Sequence, residues 1–207
     1  MTKLLFVRHG ESIYNNASKF TGQKDIPLTE LGKKQAEITG KFLWENYQID
    51  AVYSSDLSRA VATAKPLADK LGLPIHTDAR LREIHLGEWT DVDIMTVKRD
   101  RADEYARYCN GEPAPGGESR RQLWERVYQA VLEIAKANEG KTVLITSHGG
   151  AIRGFLTQIV EEGVQLPISS NASVSEVSFD GEKFTTQKLA MKEHLQELYT
   201  MQDAFLN

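Results

Sequence analysis

Leu4-Leu5-Phe6-Val7-Arg8-His9-Gly10-Glu11-Ser12 decides how the rest of this chain is read. Four apolar residues form a short buried strand, and the chain leaves regular structure through Gly10 toward Asn15. A cation and an imidazole therefore stand where an apolar strand stops. Open α/β sheets place their ligand sites at such strand ends. An imidazole beside a fixed guanidinium suits attack on an anionic, tetrahedral group: the guanidinium binds oxygens and a ring nitrogen attacks.

Outward from that strand the segments alternate in type. Residues 29–32 open a helical stretch with Thr29 as N-cap, and Leu31, Ile38 and Phe42 fall on one side of it. Residues 51–55 read as a strand, 56–71 as a helix closed by Gly72 and Pro74, and 74–81 as a third strand. Residues 90–108 look helical, 112–117 form a Pro/Gly loop, and 118–138 make a long helix. A strong buried strand over 142–147 turns through Gly149-Gly150 into a helix over 151–161. Residues 173–179 and 183–189, joined by Asp180-Gly181, read as a hairpin, and a helical tail follows from Met191. The expected fold class is α/β, a three-layer α/β/α sandwich whose sheet is mainly parallel with an antiparallel edge. The expected organisation is one domain over residues 1–207 with a helical insertion at about 88–117.

Composition narrows the function classes. The 207 residues are 41% hydrophobic and 26% charged, with net charge −4. Nucleic-acid binders are more often basic, so no nucleic-acid partner is expected. No apolar run approaches the roughly 20 residues of a membrane span, and the N-terminal apolar stretch is too short for a signal-peptide core. The single cysteine, Cys109, excludes an intrachain disulfide and a cysteine-rich zinc site. A cytoplasmic protein is the simplest reading. If the substrate is a phosphate, a few local cations must hold it against the overall acidity.

His148 repeats the logic of His9. It follows the apolar core Val143-Leu144-Ile145 and precedes two glycines opening a helix, whose free N–H groups can face an anion. Arg59 stands in the first turn of its helix, where a cation opposes the dipole unless an anion occupies that end. Glu83 follows the third expected strand, and a carboxyl in a partly dry cleft can serve as general acid. Each residue also has a plain reading: strand-capping histidines, a solvated arginine, a solvated glutamate beside His85 and Glu88. Trp89, Tyr105 and Tyr108 either line an apolar pocket or, the preferred reading, pack as core.

Together the motifs resemble the histidine phosphatase superfamily, the phosphoglycerate-mutase-like enzymes. The pieces run in order: Arg8-His9-Gly10-Glu11-Ser12 with Asn15, Phe20-Thr21-Gly22, Pro27-Leu28-Thr29-Glu30-Leu31-Gly32, Tyr53-Ser54-Ser55-Asp56-Leu57-Ser58-Arg59-Ala60, Arg82-Glu83, Pro115-Gly116-Gly117-Glu118-Ser119 and Ser147-His148-Gly149-Gly150. The resemblance implies that His9 is the nucleophile and becomes a phosphohistidine. It implies that Arg8, Arg59 and His148 surround the phosphoryl group, with Asn15, Thr21, Gly22 and the Gly149 N–H as further substrate-binding positions. Glu83 would protonate the leaving oxygen and then activate water. No cofactor and no metal are implied.

The implied activity is metal-independent hydrolysis of small phosphorylated metabolites. Phosphoglycerate mutase is the alternative, with a catalytically silent phospho-ligand-binding protein and a metallohydrolase using His9, His85, His148 and Glu83 behind it. In the mutases, basic residues of the insertion hold a second anionic group. Here Lys98, Arg99, Arg101 and Arg107 are outnumbered by Asp91, Asp93, Asp100, Asp103, Glu104 and Glu112, and paired arginines after a tryptophan are absent. Leu86-Gly87-Glu88-Trp89 is similar to the phosphatase branch, although Thr90-Asp91 departs from its commoner Glu-Gly, while Phe20-Thr21-Gly22 is similar to the mutases. The expected partner is the small metabolite, no membrane is involved, and a homodimer is compatible with the chain.

Overall fold

The computed structural model describes residues 1–161 and 163–198. Along the chain come β1 (Thr2–Arg8), α1 (Ile13–Asn16), α2 (Glu30–Asn46), β2 (Ala51–Ser54), α3 (Ser58–Leu71) and β3 (Ile75–Thr77). After two 3-10 turns, Ala79–Leu81 and Gly87–Trp89, follow α4 (Ile94–Asp100), α5 (Ala102–Cys109), α6 (Arg120–Ala137), β4 (Thr142–Ser147) and α7 (Gly149–Thr157). β5 (Val174–Phe179) and β6 (Phe184–Met191) form the hairpin, and a 3-10 stretch, Glu193–Leu198, closes the described chain. Of the expected helical tail, residues 199–207 lie outside the described residues.

Among the described residues six strands form one sheet, in the order β3-β2-β4-β1-β5-β6. β1, β2, β3 and β4 run parallel; β5 is antiparallel to β1 and β6 to β5. This is the mainly parallel sheet with an antiparallel edge that the segment order predicts. Alternation along β1 builds both faces at once. Leu4 and Phe6 point into one core with Val127, Val131 and Phe155, whereas Leu5 and Val7 join the other with Leu43, Ala64 and Leu67. Helices α6 and α7 thus cover one face, and α2 and α3 the opposite one.

That layering locates the site. β1 and β4 are neighbours, but β1 feeds toward α2 on one face and β4 feeds α7 on the other. Adjacent strands whose connections diverge leave a crevice at their carboxyl ends, where such sheets bind ligands. His9 and His148 are the first residues past those two strands. The His9 N–H donates to the Ser147 carbonyl at 2.9 Å, so the ladder continues to the edge of the crevice.

Several boundaries differ from the sequence reading. The inward face of α2 is Gly32, Gln35, Ala36, Thr39, Gly40 and Leu43; Leu31, Ile38 and Phe42 are only half-buried. Close approach decides this: a Cβ on Gly32 would lie 2.0 Å from the Glu11 carbonyl oxygen. The third strand is three residues long, because the Asp78 carboxylate accepts the Arg80 N–H at 2.8 Å and starts a 3-10 turn. The helical span over 90–108 divides at Arg101, whose φ of −131° ends α4 and begins α5.

Candidate active site

The turn after β1 is held from three sides. The Gly10 N–H donates to Thr63 Oγ1 (2.9 Å), and that hydroxyl donates to the Arg59 carbonyl (2.7 Å), one helical turn back in α3. The Asn171 side chain donates to the His9 carbonyl at 3.0 Å. A Cβ at Gly10 would stand 2.4 Å from the Gly32 carbonyl oxygen, so only glycine lets the turn lie on α2.

His9 itself is 5% exposed. Its Nδ1 lies 2.7 Å from the Gly10 carbonyl oxygen. A carbonyl can only accept, so this contact assigns the proton to Nδ1 and leaves the lone pair on Nε2. Burial, followed by the fields of Arg59 and Arg8, pushes the imidazole pKa well below its ordinary value. The ring is therefore neutral at physiological pH, the form a nitrogen nucleophile needs.

Arg59 is fully buried. Its Nη1 donates to the Lys24 carbonyl (2.8 Å) and its Nη2 to the Gly22 carbonyl (3.0 Å), while Nε is buried with no acceptor among the described residues. Burial lowers the guanidinium to about 10, so it stays charged. Gly22 thereby holds Arg59 as well as bordering the cavity. Arg8 reaches the Ser169 carbonyl through Nη1 at 2.5 Å. Asn15 closes a capping box on α1, its Oδ1 accepting from the Ser12 N–H (3.0 Å) and hydroxyl (2.8 Å). Its amide NH₂ is the end left for an incoming group. Arg8, His9, Asn15, Thr21, Arg59 and Glu83 border one cavity of about 240 Å³.

His148 lies deeper than the sequence suggests. It is fully buried, its ring centroid is 5.1 Å from that of His9, and it does not border the open cavity. Its Nε2 pairs with Ser55 Oγ at 2.8 Å, and its Nδ1 is buried without a partner among the described residues. Burial first, then Arg59, His9 and Arg8, push its pKa well below the ordinary value. In the free protein the positive charge at the cavity therefore comes from the two guanidiniums, and His148 is neutral.

Glu83 is fixed at both oxygens. Oε1 accepts the Ile84 N–H (2.8 Å) and Oε2 the Gly150 N–H (2.9 Å). A Cβ at Gly150 would lie 2.4 Å from Oε1, so the second glycine of the β4–α7 turn is what admits the carboxylate. Gly149 lies against Arg8 and borders an adjoining cavity rather than this one.

Sequence reasoning missed the groups that hold the Glu83 loop. Arg82 makes a two-pronged pair with Asp56 (2.6 and 2.5 Å), tying it to the start of α3. Arg126 of α6 donates to the carbonyls of Arg80 (2.8 Å), Arg82 (2.8 Å) and Glu83 (2.9 Å), and is itself paired with Glu118. The available signal was an arginine on the apolar stripe of α6, between Leu123 and Val127. Of the aromatics, Trp89 is core, but Tyr105 and Tyr108 are half-buried and border the adjoining cavity. The metal-binding alternative does not assemble. His85 is exposed, and no group of three His, Cys, Asp or Glu side chains among the described residues is placed to hold an ion.

The arrangement offers a neutral, oriented imidazole, two buried guanidiniums, and a fixed carboxyl group at one cavity. Comparison with known proteins agrees with that chemistry. The family model described as the histidine phosphatase superfamily (branch 1) matches residues 4–192. Phosphoglycerate mutase-like protein 4 of Arabidopsis thaliana is 32% identical over 209 residues, covering 98% of this chain and 91% of that protein. Among solved structures, a mycobacterial glucosyl-3-phosphoglycerate phosphatase in complex with VO3 superposes with a TM-score of 0.83 at 30% identity, covering 92% of this chain and 99% of that one. A phosphoserine phosphatase mutant from Entamoeba histolytica, in complex with phosphoserine, gives 0.81 at 28% identity, covering 94% and 100%.

Proposed function

The chain belongs to the histidine phosphatase superfamily, and from that premise we propose that it hydrolyses phosphomonoesters of small metabolites through a phosphohistidine on His9. The observation that carries this reading is the Nδ1–H bond to the Gly10 carbonyl, which leaves Nε2 as the lone-pair nitrogen in a cavity bordered by Arg8 and Arg59. The two guanidiniums hold the phosphoryl oxygens and stabilise their charge as the bonds exchange. Nε2 forms the P–N bond while the P–O bond to the alcohol breaks, and a proton from Glu83 goes to the departing oxygen. Glu83, now a carboxylate, takes a proton from water; that water attacks phosphorus and the P–N bond breaks, returning phosphate and neutral His9. A dianionic group held beside the His9–His148 pair favours the protonated form of His148. Asn15 and Thr21 add neutral contacts.

The charge is supplied by side chains, so we expect turnover to persist in excess chelator and vanadate to compete with substrate. Loss of activity in chelator, restored by a divalent ion, would contradict the mechanism.

The same reading favours hydrolysis over mutase activity. Residues 88–117 are proposed as the substrate-recognition insertion of a single domain. Within it, Arg99, Arg101 and Arg107 are paired with Asp100, Glu88 and Glu112, and none of them borders the cavity. These three arginines of the insertion are therefore not disposed to hold an anionic group in the His9 cavity. The name of the Arabidopsis relative keeps phosphoglycerate mutase as the second reading, and assaying both activities on one preparation separates them. A cytoplasmic location and a homodimer are compatible with this proposal; light scattering on the purified protein distinguishes monomer from dimer.

A further inference from the structure

A second cavity of about 390 Å³ adjoins the one at His9, and the two share Arg8, Phe20, Ile84, Tyr108 and Gly150. Its volume falls within the roughly 300–1,000 Å³ of small-molecule pockets. Gly150, whose N–H holds the Glu83 carboxyl group, and Tyr108 border both cavities, so the second cavity opens beside the proposed general acid.

Its charge is unlike that of the rest of the molecule. The chain has 29 acidic residues and a net charge of −4, yet no Asp or Glu borders this cavity. Arg120 and Arg153 do border it. Among the described residues, every other arginine outside the Arg8–Arg59 pair is matched with a carboxylate. Arg120 occupies the first turn of α6, against the helix dipole, in a turn with no acidic residue. Its guanidinium lies over the Tyr108 ring at 5.7 Å and spends one N–H on the Tyr108 carbonyl at 3.3 Å. Among the described residues, Arg153 has only a 3.4 Å contact with the Leu166 carbonyl. Most of their donors are therefore available to a ligand. Between them the wall is aromatic and apolar, with Tyr108, Trp124 and Ile168. The lysine at the other cavity, Lys19, is instead paired with Asp91 at 3.0 Å.

We propose that this second cavity receives the leaving group, and that Arg120 and Arg153 bind a carboxylate carried on it. The substrate class is then a phosphomonoester whose alcohol has an aromatic or apolar body ending in a carboxylate. This rests on the phosphatase reading. Arg120 and Arg153 act on specificity, remote from the reacting atoms.

The test compares 4-carboxyphenyl phosphate with phenyl phosphate. The wild-type protein should favour the carboxylated ester by about tenfold or more in kcat/KM, through KM. Arg153→Gln, and Arg120→Gln with it, should remove most of that preference and leave phenyl phosphate turnover unchanged. Lysine at either position should restore part of it. An unchanged ratio in the double glutamine variant overturns the proposal. Calorimetric binding of both esters to His9→Ala separates the two claims. If neither ester turns over, the phosphatase reading fails, yet a carboxylate preference in binding that vanishes in Arg153→Gln still supports the subsite. Equal or undetectable binding of the two esters overturns it.

Discussion

Glu83, the proposed general acid, has little freedom. Its two oxygens are held by N–H groups far apart in the chain, those of Ile84 and Gly150. A general acid so placed matters most when the leaving group is poor. Glu83→Gln should therefore depress alkyl ester turnover by roughly a hundredfold or more. Phosphorylation of His9 by an activated aryl ester should fall much less, which burst kinetics would read. An equal, small loss for both esters in both steps would remove Glu83 from the mechanism. Gly150→Ala should act the same way without touching the carboxylate chemically, because the new methyl occupies the space of Oε1.

At the scale of elements, the site is a strand end and a loop fastened to their neighbours. Arg126 reaches from α6 to three carbonyls around Glu83 and to Glu118. Arg126→Gln strands a partly buried carboxylate and removes three donors. The expected cost is about 2–4 kcal/mol of stability, together with a loss of kcat that is larger for alkyl than for aryl esters. A loss of stability with an unaltered leaving-group dependence would make Arg126 merely structural. The residue was not legible locally, since its partners lie 8 to 46 positions away in the chain. His9 and His148 were legible because strand, ligand group and glycine are adjacent in the chain. The α2 face was misjudged for a different reason. Spacing of large apolar residues pointed to Leu31, Ile38 and Phe42, but small residues let the helix approach the turn after β1 and helix α3, and the inner stripe includes Gly32, Ala36, Gly40 and Leu43. The break in the 90–108 helix did leave a trace: Lys98 and Arg99 end α4, and Asp103 and Glu104 begin α5, each with the sign its dipole favours.

The whole molecule stores two neutral histidines beside two guanidiniums, and its stability should report this. Both imidazoles have folded pKa values below the unfolded value of about 6.5. The stability each contributes is complete above pH ~6.5 and is lost as pH falls, because the unfolded chain then binds protons that the folded one refuses. Each should steepen the decline by up to about 1.4 kcal/mol per pH unit between ~6.5 and its folded pKa. Denaturant midpoints from pH 7 to pH 5 check this, and saturating phosphate should flatten the slope by favouring protonated His148. A slope unchanged in a His9→Gln, His148→Gln double variant would contradict the account.

The central claim is the covalent step, and trapping it is the most direct measurement. A radiolabelled phosphate ester is mixed with the protein, quenched within the turnover time, and the peptides are mapped. The expected result is label on His9, at Nε2, in an acid-labile and alkali-stable linkage, with no label and no turnover in a folded His9→Ala variant. Steady turnover by that variant, or label on any other residue, would contradict a phosphohistidine mechanism.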